Sequence, residues 1–262
     1  MINISLTLRD SATMLRRDIL HSLRNPTMTI SGLITPTVIL VLFVYVFGNT
    51  MGAGLGVATH SGNYINYIAP AIIIMTVGTG CETTAINLCT DMAEGIITRF
   101  RTMAIFRSSV LIGQVIGSLI RTMMSIIIVL VIALLMGFRP TASLFDWIEA
   151  FGLIALFTFA VSWMGVVFGL VGKTPAGANS LALIFVLLPF ISSAFVRTES
   201  IPVGIRWFAE YQPFTPIIDT LRGLLLGTPI GNSAFLAVAW CVGLALVGYL
   251  LARAIYNRDP VR

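Results

Sequence analysis

Three groups of residues have types and spacings that chemistry can use. The stretch "GLVGKTPAG", residues 169–177, contains Gly172-Lys173-Thr174. This is the tail of the pattern G-x-x-x-x-G-K-[ST], whose backbone amides cradle phosphates. The first glycine of that pattern falls on Val167. A phosphate loop also needs a strand before it and a helix opening at its Lys. Here an apolar run precedes the loop, Pro175 follows Thr174, and no second apolar run ends in a metal-holding Asp. Nucleotide hydrolysis by this chain is therefore not expected, and Lys173 is read as a topology charge. The second group is His21, His60, Cys81, Cys89 and Cys241. The two His are far apart, the cysteine count is odd, and no C-x-x-C occurs. Neither a metal centre, a disulfide framework nor a Ser-His-Asp set is expected. No catalytic residue is assigned. The third is Glu82, an acid well inside an apolar run. An ionisable residue at membrane depth is a functional candidate by default. Two roles stay open for it: a part in the substrate pathway or gate, or a structural hydrogen bond to Thr83, Thr84 or a neighbouring span. Thr76, Thr79 and Ser125 read as contacts between packed helices.

The elements that must position these residues follow from composition. The chain is 57% hydrophobic and 10% charged, with mean hydropathy +0.95. A soluble domain is nearer one-quarter charged, so this chain has too few charges to cover a water-facing surface. An integral membrane protein is expected. A helical span needs about 20 apolar residues. Six runs qualify, at about 27–47, 64–88, 117–136, 147–171, 178–196 and 233–252. They lack the alternation of barrel strands. The expected fold class is an all-α integral membrane protein with six transmembrane helices. Internal Gly32, Pro36, Gly165 and Pro189 are tolerated where neighbours satisfy the freed backbone groups. Arg9, Asp10, Arg16, Arg17 and Asp18 precede the first run, so no cleavable leader is expected. Six spans place both termini on one side, and that side holds eleven of the sixteen Lys and Arg. Both termini are then cytoplasmic. The net charge of +5 is mostly this topology signal, and nucleic acid is not an expected partner.

The connecting segments carry further signals. Residues 1–25 read as an amphipathic N-terminal helix at the membrane interface, with Leu8, Ala12, Leu15, Ile19 and Leu23 on one face and Asn25-Pro26 breaking it. In "DMAEGIITRFRTMAIFRSS", residues 91–109, Asp91 and Glu94 have the spacing of a helix start. Ile96, Phe100 and Met103 follow at helical intervals among Arg99, Arg101 and Arg107. Two readings stay open: a basic loop, or a docking element for a cytoplasmic partner. Before the last run, Thr215 can cap a helix whose first position is Pro216. Ile217, Ile218, Leu221, Leu224 and Leu225 make its apolar stripe, and Gly227 supplies a left-handed stop. Asp219 and Arg222, three apart, can pair on its polar face. Trp207, Phe208 and Tyr211 precede it. This helix either dips into the outer leaflet or forms a lid on the span tops.

These same residues carry a resemblance. "DMAEGIITRFRTMAIFRSSVLIGQVIGSLIR" resembles the signature region of type-2 ABC transporter permeases. "YQPFTPIIDTLRGLLLGTP" is similar to the "NPFTP…DALRGLLLG" element of the drug-resistance, daunorubicin-exporter-like branch. Tyr211-Gln212 departs from it where Asn often precedes Pro-Phe. With six spans and the N-terminal helix, the resemblance covers nearly the whole chain.

It implies a half-transporter without catalysis of its own, with residues 26–262 as the transmembrane domain and 1–25 as an elbow helix. It implies a second permease copy or a paralogue, and two copies of a separate ATPase that hold the ATP and Mg. Residues 91–107 would be the coupling helix on that ATPase, using Asp91, Glu94, Ile96, Arg99, Phe100, Arg101 and Met103. Short re-entrant helices would precede the sixth span, with an outer gate region at 213–227 that includes Phe214, Thr215, Pro216, Asp219 and Arg222. The implied activity is export of hydrophobic or amphipathic compounds across a bacterial inner membrane. An exporter of lipids or glycans shares the layout. An ion-coupled transporter calls for several intramembrane acids or an inverted repeat, and a membrane enzyme for a polar constellation.

Overall fold

Apolar runs with no water to satisfy their backbones close their hydrogen bonds internally as helices. The computed structural model describes residues 26–48, 61–95, 107–195 and 202–258, and every regular element among them is helical. In order these are α1 (Pro26–Val41), continued by a π turn at Leu42–Val46, α2 (Ser61–Ala93), α3 (Arg107–Leu135) and α4 (Leu144–Val171). Then come α5 (Pro175–Leu187), continued by a 3-10 turn at Leu188–Ile191, α6 (Val203–Tyr211), α7 (Phe214–Leu226) and α8 (Ser233–Arg258). The expected N-terminal helix at 1–25 lies outside the described residues. Of the six expected spans, α2, α3, α4 and α8 are long and apolar enough to cross a membrane. The first and fifth are apolar but shorter, at Gly32–Val46 and Pro175–Ile191.

Local chemistry sets the boundaries. α2 runs past the expected 88 to Ala93 and stops where Gly95 adopts φ +69°, a conformation that favours glycine. Asp91 therefore sits in the last turn of α2, not at the head of a new helix. α3 begins at Arg107, ten residues before its expected start at 117. α4 opens with a reciprocal cap: Asp146 N–H donates to Ser143 Oγ at 3.3 Å, and Ser143 N–H to Asp146 Oδ2 at 2.8 Å. The Thr of the "GKT" triplet has a capping role. Thr174 Oγ1 accepts from Gly177 N–H at 3.1 Å, and Pro175 fills the first position of α5. α5 tightens to a 3-10 turn around Pro189, short of the expected 196.

α2 is the axis of the bundle. Its apolar window is 83% buried, against 67% for α4, 33% for α3 and 17% for α8. Its partners come close because small residues line the seams. A Cβ on Gly165 would lie 2.8 Å from the Cys81 carbonyl oxygen, and one on Gly169 2.9 Å from that of Ala85. This G-x-x-x-G stripe lets α4 press directly on the α2 backbone. Inside the bundle, Thr84 and Ser118 share a hydroxyl hydrogen bond, and Ser162 Oγ donates to Ser118 Oγ at 3.0 Å. The triad joins α2, α3 and α4. Thr76, expected as a contact between helices, instead donates to the Ile72 carbonyl of its own helix at 2.9 Å. That bond satisfies a buried hydroxyl locally. The three cysteines are buried and unpaired. Pro36 in α1 and Pro70 in α2 lack the amides that would meet the carbonyls of Gly32 and Asn66.

Candidate functional site

The predicted site residues fall into three places. The first is one end of the bundle, capped by α6 and α7. Ile217, Ile218 and Leu221 of α7 are fully buried, and Phe214 meets Phe157 of α4 edge-on at 5.3 Å. The apolar stripe thus packs into the bundle as a lid. Trp207, Phe208 and Tyr211 of α6 are left exposed. α7 starts at Phe214, one residue before the expected cap, and Pro213 precedes it without a side-chain cap. Thr215 is not the cap: its hydroxyl donates to the Ala209 carbonyl and accepts from Ser193 N–H at 3.3 Å. That bond ties α6 to α7. Pro216 is the third helical residue, still in the turn whose amides lack helical partners. Gly227 ends the helix at φ +71°, as its position predicts.

The expected Asp219–Arg222 pair forms, at 3.1 Å, but it faces inward. Arg222 lies over the Tyr67 ring, 3.9 Å from its centroid, and donates to the carbonyls of Tyr67 at 3.1 Å and Ser193 at 3.2 Å. Ser193 Oγ donates to Asp219 at 2.7 Å, and Tyr67 Oη to the Ser193 carbonyl at 2.9 Å. Burial pushes the Asp219 carboxyl above its ordinary range, with the Ser193 hydroxyl and Arg222 pulling the other way. Arg139 N–H donates to Asn66 Oδ1 and Thr141 N–H to the Leu225 carbonyl, each at 2.9 Å. These bonds stitch the α3–α4 connection to the same cap.

The opposite end holds the ends of α2 and α4. Gln114 Nε2 of α3 donates to Asp91 Oδ2 at 3.0 Å, and Cys89 Sγ to the Gly172 carbonyl at 3.0 Å. Glu94 is exposed in the turn that follows α2. Ile96, Arg99, Phe100, Arg101 and Met103 lie outside the described residues.

The third place is a groove of about 140 Å³ between α1 and α2, lined by Gly32, Thr35, Thr79, Glu82, Thr83, Ile86 and Asn87. The expected hydrogen bond from Glu82 to Thr83 or Thr84 is not made. Each of those hydroxyls caps a carbonyl of its own helix: Thr83 that of Thr79 at 2.8 Å, Thr84 that of Gly80 at 2.7 Å. The Glu82 carboxylate has no hydrogen bond or ion pair among the described residues. Sequence reasoning missed Tyr67, Ser193 and Gln114, whose partners are distant in sequence. It also missed Asn87, although positions 79, 82, 83, 86 and 87 mark one helical face.

The described residues form an all-helical bundle with an apolar outer surface and a polar latch at one end, the build of a membrane protein. Residues 10–226 match the family described as ABC-2 type transporter, and the chain belongs to it. Members are non-catalytic membrane subunits that work with ABC ATPase partners. The chain is similar to the Daunorubicin resistance ABC transporter permease protein DrrB1 of Streptomyces coeruleorubidus, with 28% identity covering 84% of this chain and 74% of that protein. It is also similar to the Probable doxorubicin resistance ABC transporter permease protein DrrC of Mycobacterium tuberculosis (24%, covering 79% and 75%). Nodulation protein J of Rhizobium leguminosarum is 24% identical, covering 84% and 85%.

Proposed function

We propose that the chain is the membrane subunit of an ATP-driven exporter that moves hydrophobic or amphipathic compounds out of the cell. Two copies of a separate ABC ATPase supply the hydrolysis, and a second permease copy or a paralogue completes the path. The observation that carries this reading is the similarity to two permeases named for drug resistance, each across more than three-quarters of this chain.

The helix lengths support six spans in a bacterial inner membrane, with both termini cytoplasmic. α1 with its π turn covers about 31 Å, and α5 with its 3-10 turn about 27 Å. Both are close to the thickness of the hydrocarbon core. On this reading residues 1–25 form the elbow helix. The α6/α7 end faces outward and forms the outer gate region. The end at Asp91 and Glu94 faces the ATPase, and residues 91–107 couple the two subunits. Ile96, Phe100 and Met103 enter a groove of the ATPase, while Glu94, Arg99 and Arg101 pair with its charges.

The test is ATP hydrolysis by the permease co-purified with its ATPase in lipid nanodiscs, with and without amphipathic drugs. Stimulation by drug that is lost in Glu94→Lys or Arg101→Glu is expected. Full coupling in both variants would overturn the assignment of residues 91–107. Failure of any ATPase to co-purify would overturn the exporter reading.

A further inference from the structure

From the groove between α1 and α2 we infer that the cargo is cationic: this groove is the subsite that takes the ammonium head of an amphipathic compound. The inference rests on the exporter reading and names the substrate class within it.

Glu82 lies eleven residues before the end of α2, roughly 17 Å along the helix. Its carboxylate is therefore well inside a span and has no partner among the described residues. The neighbouring hydroxyls do not relieve it, because their protons are already engaged. Thr79 donates to the Thr76 carbonyl at 2.8 Å and Thr83 to that of Thr79 at 2.8 Å. Having donated their protons, these two hydroxyls keep only acceptor lone pairs to offer. The α1 wall adds another acceptor. Pro36 has no amide to give to the Gly32 carbonyl four residues earlier, and Gly32 lines the groove. Thr79 Oγ1 reaches that carbonyl only at 3.5 Å. The carbonyl left without an amide by Pro36 and a row of back-bonded threonines thus build a half-open chamber rich in acceptors around one carboxyl group. Such a chamber repels anions and rewards a donor cation.

Shape selects among cations. A small metal ion is held best by a shell of oxygens on all sides, and this groove is open along one side. Its lining is polar but for Gly32 and Ile86. A volume of about 140 Å³ suits an ammonium group with its first carbons, and Ile86 offers them an apolar contact.

The test is equilibrium binding to the purified permease in nanodiscs, without nucleotide. The probes are dansyl-labelled dodecylammonium and its neutral N-acetyl analogue. The native chain should bind the ammonium probe roughly tenfold to a hundredfold more tightly, the range expected for a charge-assisted contact. Glu82→Gln should erase that preference and leave the neutral probe unchanged, while Glu82→Asp retains most of it. A second variant, Gly32→Leu, should block the ammonium probe without touching Glu82. The Cβ of residue 32 would meet only Thr83 Oγ1, at 3.9 Å, so the substitution enters without a backbone clash, and an unchanged unfolding midpoint checks that the fold is kept. Equal affinity for both probes in the native chain overturns the assignment, as does an unaffected Glu82→Gln. Displacement of the ammonium probe by millimolar sodium but not by tetramethylammonium makes this an inorganic-cation site and also overturns it. Because binding is read without ATP, the two readings fail separately. A chain that binds the ammonium probe but never couples to an ATPase sinks the exporter reading alone. A chain that drives ATP-dependent efflux yet binds both probes equally sinks the cation assignment alone.

Discussion

The two ends of this bundle are built differently. At the capped end, α6, α7 and the turn at 192–195 are held by a network in which Arg222 alone serves Asp219, Tyr67 and Ser193. At the opposite end, α2 and α3 are joined by Gln114 and Asp91, and α2 meets the end of α4 through Cys89 and a carbonyl. Among the described residues, one end is held by buried charge, while the other packs an apolar cluster that includes Leu88, Leu111, Val115, Trp163 and Tyr256 beside the side-chain bonds of Asp91 and Cys89. Cooperative polar networks fix one arrangement, whereas apolar packing is non-directional.

That contrast can be broken by substitution. The largest loss is expected for Arg222→Ala, which strands a carboxylate and two carbonyls. Unfolding should cost about 2–4 kcal/mol less, below the range for fully buried pairs because the Asp219 side chain is 38% exposed. Thermal unfolding in detergent reads this. Arg222→Lys should not restore stability fully, since Nη1 meets the carboxylate and Nη2 the two carbonyls, and a single ammonium nitrogen cannot occupy both positions. Gly169→Leu comes next, at about 1–3 kcal/mol, because its Cβ would already crowd the Ala85 carbonyl and Leu88. Gly152→Ala, with nothing within 4 Å of its new methyl, serves as the control and should be neutral or stabilising by roughly 0.5–1 kcal/mol. Gln114→Ala should cost only about 1 kcal/mol. A cost there equal to that of Arg222→Ala would erase the contrast between the ends.

The smallest effect is in pH. The Asp219 carboxyl is raised by burial, so the folded state holds its proton more readily than the unfolded chain does. Its contribution therefore favours folding more as pH falls from the raised folded value toward the ordinary Asp value, and levels off below that. The difference in unfolding midpoint between the native chain and Asp219→Asn should shift toward the native chain over that acidic window. A difference that stays flat across it would show that Asp219 titrates as a solvated acid.

Much of this was legible beforehand, for physical reasons that differ by element. Apolar runs of span length read directly, because lipid leaves the backbone no alternative to the helix. The stop at Gly227 and the pairing of Asp219 with Arg222 read from local spacing alone. The direction of that pair did not, since Tyr67 and Ser193 are distant in sequence and only packing brings them together. The end of α2 was misplaced because two acids near a boundary resemble an N-terminus, while the stronger signal was Gly95. The stripe Gly165–Gly169 could have been recognised as a helix seam. The triad of Thr84, Ser118 and Ser162 could not, since nothing local distinguishes those hydroxyls from Thr76 or Ser125.

Pro70 divides one helix between two machines. The turn before it is fastened to the cap, through Asn66 to Arg139 and through Tyr67 to Ser193 and Arg222. The residues after it run to Ala93 as a shaft of about 35 Å. A proline is where a helix bends, because one internal bond is missing there. The segment at Asn66 and Tyr67 thus answers to the cap, and the shaft beyond Pro70 answers to the helices packed along it, with one rung of the hydrogen-bond ladder missing where the two meet.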